Sequence, residues 1–134
     1  SERVEFLDGT AWTRVQLYMK ALELDHASAS AARTYSNLAN CLDVGEMVTL
    51  PDGVECDACM LYLRALALSP RHAQALANLG SLMGPEERVH LRLDLEGESS
   101  EWTGRELLFE ALRVDGSLAQ AYAGLGLSMA PQEQ

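Results

Sequence analysis

The chain has 134 residues, 48% of them hydrophobic and 22% charged, an ordinary composition for one globular domain and too short for two full catalytic domains. Its formal charge of −10, from 10 Lys and Arg against 20 Asp and Glu, repels phosphate backbones and anionic headgroups, and no apolar run approaches the roughly 20 residues of a bilayer span. Nucleic acid and membrane are therefore not expected as partners, and the odd number of cysteines, Cys41, Cys56 and Cys59, points to free thiols in a reducing, cytoplasmic setting.

Taken in chain order, three kinds of segment recur three times in the same order, the mark of an internal repeat. The first is strand-like, Val4-Glu-Phe-Leu-Asp-Gly9. It leads into a helix start at Thr13, which with Gln16 forms a capping box, while Trp12 before it is placed to pack on Leu17 as a hydrophobic staple. Leu17, Ala21, Leu22 and Leu24 then carry the helical period of about 3.6, within Lys20-Ala-Leu-Glu-Leu-Asp25. After the small residues following His26 comes a second helical run containing Tyr35-Ser-Asn-Leu-Ala39.

The second unit opens with Val48-Thr-Leu-Pro-Asp-Gly53, where the Pro-Asp-Gly run signals a tight turn and Val54 to Cys56 a return strand. Asp57 caps the next helix, with Cys56 stapling Leu61. That helix carries Arg64-Ala-Leu-Ala-Leu-Ser69, Pro70 ends it, and Leu76-Ala-Asn-Leu-Gly80 follows. The third unit has the longest hairpin, from Arg88 towards Trp102. Thr103 and Glu106 complete its capping box and Trp102 staples Leu107. Glu110-Ala-Leu-Arg-Val-Asp115, a break at Gly116 and Tyr122-Ala-Gly-Leu-Gly126 complete it.

The repeat alanines Ala21, Ala65 and Ala111 are 44 and 46 residues apart. Helices joined this tightly must lie antiparallel. Gly80 and Gly126, mid-helix where each costs about 1 kcal/mol against Ala, predict close approach of another helix. An isolated two-stranded hairpin is marginal in water, so the hairpins are expected to pair across repeats into a small sheet. The units run approximately 1–44, 45–85 and 86–134 in one repeat domain. Their phasing, starting on a hairpin and ending on a helix, leads us to expect a piece of a longer array.

Ala73-Gln-Ala-Leu-Ala-Asn-Leu-Gly80 and Ala119-Gln-Ala-Tyr-Ala-Gly-Leu-Gly126 resemble the first helix of the tetratricopeptide repeat (TPR). Tyr18 to Asp25 and Tyr62 to Pro70 resemble its second helix. The departures are a hairpin where the family has a short turn, His26 and Gly116 where proline is usual, and Leu108 where an aromatic is usual. The resemblance implies a mainly α fold, an α-α superhelix with short β-hairpins inserted between helices, acting as a non-catalytic scaffold. Its partner would be a protein or peptide lying in the groove lined by the first helices. Carried over residue by residue, that groove comprises Arg33, Ser36, Asn37, Asn40, Gln74, Ala77, Asn78, Ser81, Gln120, Ala123 and Leu127. It is nearly neutral, unlike the Lys and Arg clamp by which some relatives hold chaperone tails, so no such clamp is expected.

Other readings compete. Exposed hairpin edges invite strand pairing, so a structural self-assembly module is the alternative. A remote alternative is thiol redox chemistry or metal binding through Cys56-Asp-Ala-Cys59, a C-x-x-C at a helix start. Against it, Cys56 aligns with Trp12 and Trp102 as a staple, and zinc would lack a fourth ligand. No nucleophile elbow, phosphate-binding glycine loop or His-Glu-x-x-His occurs, so neither enzyme activity nor a cofactor is expected.

Overall fold

Among the described residues, three hairpins are each followed by two helices. The structure is a computed structural model and describes residues 3–5, 11–92 and 99–129. The elements are β1 (Arg3–Glu5), β2 (Ala11–Thr13), α1 (Arg14–Leu24), α2 (Ala29–Asn40), β3 (Val48–Thr49), β4 (Glu55–Cys56), α3 (Ala58–Leu68), α4 (Ala73–Leu82), β5 (Arg88–Leu91), β6 (Ser100–Thr103), α5 (Gly104–Val114) and α6 (Ala119–Ser128). The chain is mainly α, with small hairpins.

Each hairpin delivers the chain to a helix start. Thr13 and Thr103 accept hydrogen bonds from the backbone amides of Gln16 and Glu106, whose side chains reach back to the cap amides, so both capping boxes form. Asp57 accepts from the Met60 amide at 2.9 Å. These bonds satisfy amides that have no partner within the first turn. The residue before each cap closes its hairpin, Trp12 opposite Val4, Cys56 opposite Val48 and Trp102 opposite Val89 in neighbouring register. Cys56 and Leu61 are buried in the core, and Trp102 packs against the core that holds Leu107.

The turn at Pro51 to Gly53 forms as its residues dictate. The Gly53 amide donates to the Leu50 carbonyl at 2.8 Å and the Leu50 amide to the Val54 carbonyl at 2.9 Å. Gly53 takes φ +88°, the left-handed conformation that closes a three-residue hairpin loop and that glycine adopts without strain. Arg64 ties this loop down, bonding Asp52 at 3.0 Å while its guanidinium lies 5.9 Å from the Tyr35 ring centroid.

The links between consecutive helices, residues 25–28, 69–72 and 115–118, are of equal length. Where Pro70 stiffens the middle link, Asp25 and Asp115 do the same work by hydrogen bonding. Asp25 accepts from the amides of Ala27 and Ser28, and Asp115 from the amide and hydroxyl of Ser117. These bonds hold both carboxyls below the usual carboxylate range, so carboxylate turns replace the missing prolines.

Helix α2 packs chiefly on α3 across its hairpin, and α4 on α5 in the same way, while α1, α3 and α5 also pack on the helix that follows each. The core between them is leucine and alanine: Leu22, Leu38, Leu61, Leu66, Leu76, Leu79, Leu107 and Leu108 are fully buried, with Ala65, Ala75, Ala77, Ala111 and Ala121 between. Gly80 has the close neighbour expected of it. A Cβ there would lie 2.7 Å from the Gly104 carbonyl oxygen, and one on Gly104 2.6 Å from that of Gly80, so α4 and α5 meet glycine on glycine.

Two expectations are corrected. Among the described residues the hairpins form three separate two-stranded antiparallel sheets, β1-β2, β3-β4 and β5-β6, with no pairing across repeats. The reason is spacing: each hairpin is fixed to its own helix, α1, α3 and α5 pack on the helices between them and so stand further apart than a packed pair at about 8–10 Å, and strands pair only at about 4.8 Å. Second, Gly126 has nothing within 4 Å of its would-be Cβ, and Gly124 is the closely approached position, where a Cβ would lie 2.8 Å from Ser81 Oγ and 2.9 Å from Leu108. Gly80 is covered by the hairpin helix that follows it, and no described helix follows α6. The end of the strand-like segment Val4 to Gly9 and the middle of the third hairpin, residues 93–98, lie outside the described residues.

Candidate functional site

The alternate helices α2, α4 and α6 carry all eleven residues expected to line a groove. Nine of these positions lie exposed or half-buried on helices linked side by side by their own polar groups: Arg33, Asn37, Asn40, Gln74, Asn78, Ser81, Gln120, Ala123 and Leu127. Asn78 Nδ2 donates to Asn40 Oδ1 at 3.1 Å, joining α4 to α2. Gln74 Nε2 donates to Gln120 Oε1 at 3.4 Å, joining α4 to α6. The next equivalent pair is Ser81 and Gly124, which lie against each other. The polar positions thus recur three and four residues apart, one stripe per helix.

Tyr62 completes the first of these rungs from below. Its hydroxyl donates to Asn40 Oδ1, and burial pushes the phenol up to about 12. Asn40 therefore serves as acceptor for two donors from two helices, α3 and α4. A neutral tyrosine is the form that this arrangement requires, since a phenolate has no proton to donate.

Two groove residues, Ser36 and Ala77, are corrected. Ser36 and Ala77 are 2% and 0% exposed, and they occupy equivalent places in α2 and α4. Both face the packing with the hairpin helix and not the stripe. Ala123, the equivalent residue of α6, is exposed, with no described helix against it. The resemblance assigned these positions to the groove, and they border the exposed stripe because residues three and four apart share a helix face.

A cleft of about 550 Å³ opens where α4 and α6 end and α5 begins. Ser81 and Leu127 from the expected set line it, together with Gly80, Gly104, Gly124 and Arg105. Arg105 Nη2 donates to the Ser128 carbonyl at 2.8 Å and its Nε to Ser128 Oγ at 3.3 Å, which fixes the guanidinium across the end of α6. Sequence reasoning missed this wall. Its signal was Gly104 at the first position of α5, where the other units have Arg14 and Ala58.

His72 caps α4 through Nδ1, which accepts from the Ala75 amide at 3.4 Å. In that tautomer Nε2 carries the proton, and it is buried without a partner. Burial, reinforced by the positive charge of Arg33, lowers the His72 pKa. The thiols of Cys56 and Cys59 are pushed up by burial, the opposite of the depressed pKa that activates a C-x-x-C thiolate. Among the described residues no three His, Cys, Asp or Glu side chains converge as a metal site would require, and no helix is long and apolar enough to cross a membrane. No protein-family model matches the sequence, and no curated protein matches it significantly.

Proposed function

We propose that the chain is a TPR-like helical repeat with hairpin insertions, a non-catalytic scaffold that binds a peptide or helix of a partner protein across α2, α4 and α6. The observation that carries this reading is the side-by-side stripe of neutral polar residues on these three helices, cross-linked at Asn40 to Asn78 and Gln74 to Gln120. Amides held at fixed spacing can donate to and accept from a ligand backbone, and Leu127, 88% exposed, supplies an apolar contact at one end. The net charge of −10 favours a basic partner through long-range attraction.

The test compares the protein with an Arg33→Glu/Leu127→Glu variant, both substitutions being at exposed positions and so compatible with an unchanged Tm. Proteins captured from extract by the parent and lost with the variant are reduced to peptides, and their Kd is measured by calorimetry. The reading holds if a peptide binds the parent and binds the variant at least tenfold more weakly. It fails if captured peptides bind both equally.

A further inference from the structure

The first and last described helices carry the two halves of a contact that the helices between them make twice. In α3, Leu61, Ala65 and Leu68 form an apolar row at helical spacing, and in α5 the row is Leu107, Ala111 and Val114. Leu61, Ala65, Leu107 and Ala111 are all fully buried. The corresponding row of α1 is Leu17, Ala21 and Leu24. Here Leu17 is only half-buried, Ala21 is exposed and Leu24 is 76% exposed. In the other two units the helix before the hairpin, α2 or α4, packs on the hairpin helix. No described helix precedes α1.

At the opposite end α6 has the complementary deficit. In α4 the face turned to α5 is Leu76, Ala77, Gly80 and Met83, of which the first three are buried. The equivalent face of α6 is Tyr122, Ala123, Gly126 and Met129, every one of them exposed, with open space at Gly126. Helix α6 contains no charged residue, so nothing on that face resists burial. Arg14 stands where α5 has Gly104 and α3 has Ala58. A Cβ at that place is already accommodated in the second unit, and a residue at the first position of a helix can turn its side chain outward.

We infer that the 134-residue chain associates head to tail, α6 of one copy receiving the Leu17, Ala21 and Leu24 face of α1 from a second copy. The contact repeats across two molecules the packing of α2 on α3 and of α4 on α5 within one. It is heterologous, each copy using a different surface at each end, so successive additions extend the array. The inference does not depend on the peptide-binding reading, because the stripe at Asn40, Asn78, Gln74 and Gln120 lies on another face of the helices. Ten net negative charges per copy oppose association at low ionic strength, so salt strengthens it.

Sedimentation equilibrium on the parent chain, Ala21→Arg and Gly126→Arg tests this up to about 1 mM, the range of weak association. The parent is expected to exceed the mass of a dimer as concentration rises. Each variant alone stays at 14.6 kDa, since each has one blocked end. An equimolar mixture forms a one-to-one dimer and nothing larger, because only the two untouched ends can meet. Leu24→Arg and Tyr122→Arg repeat the test at two further exposed positions if either first variant loses its helical circular dichroism.

Three results overturn the inference. A parent that stays monomeric at every concentration shows that these faces do not take a second copy, as when a further unit of the same chain is their partner. A variant that assembles like the parent shows a contact through like ends. Assembly abolished by Leu50→Pro or Leu91→Pro with helices intact, and untouched by the arginine variants, assigns it to the hairpin edges.

Discussion

His72 and Tyr62 each hold a helix junction in one protonation state, and each ties stability to pH. The folded pKa of His72 is depressed, so its contribution is fully present above the unfolded value near 6.5 and is lost as pH falls through the folded value. Protonation also turns Nδ1 from acceptor to donor and removes the cap on α4. His72→Asn keeps a capping acceptor that does not titrate. The gap in Tm between variant and parent is expected to widen from pH 7 to pH 5.5, and a constant gap would refute the role given to His72. Tyr62 works in the opposite direction. With its folded pKa raised from 10.0 to about 12, its contribution is intact below pH 10 and disappears as pH rises towards 12. Tyr62→Phe removes one donor from Asn40 while Asn78 remains, so a loss of about 1 kcal/mol is expected in urea unfolding.

Among the helices the decisive contact is glycine on glycine between α4 and α5. Gly80→Ala gains about 1 kcal/mol of helix propensity. It also drives a methyl to 2.7 Å from a backbone oxygen, an overlap costing about 1–3 kcal/mol or more because backbone yields poorly. A net destabilisation of about 1–2 kcal/mol is expected. Gly126→Ala meets nothing and should stabilise by up to about 1 kcal/mol. Chemical denaturation of the two variants checks the pair, and equal signs would contradict the packing described. The helix starts at Thr13, Asp57 and Thr103, with their capping residues, were legible without tertiary information because a cap is a local hydrogen bond. The Gly126 contact was not, because the helix that covers Gly80 comes from the next hairpin and has no described counterpart after α6.

Across the molecule, stability is set by how many neighbours each helix has. Helices α2 to α5 each have a close partner across a hairpin, α2 with α3 and α4 with α5, whereas among the described residues α6 has none and rests mainly on α5 and α4. In native-state hydrogen exchange the α6 amides are expected to exchange before those of α3 and α4. Assembly through the α6 face would slow them as concentration rises, while exchange independent of concentration would join the monomer result in refuting it. Long-range charge acts on the same scale. A chain of net charge −10 repels itself when compact, so salt between about 0.05 and 0.5 M should raise Tm.

The repeat, its order of hairpin, helix and helix, and the caps that start α1, α3 and α5 could all be read from residue type and spacing, since each depends on contacts within a few residues of chain. The eleven groove positions came from the family resemblance and not from spacing, and nine of them lie exposed or half-buried on α2, α4 and α6. The burial of Ser36 and Ala77, the separation of the hairpins and the exposure of Tyr122 and Gly126 could not. Each depends on which helix stands beside which and at what distance, and helix packing holds neighbouring hairpins too far apart for strands to pair.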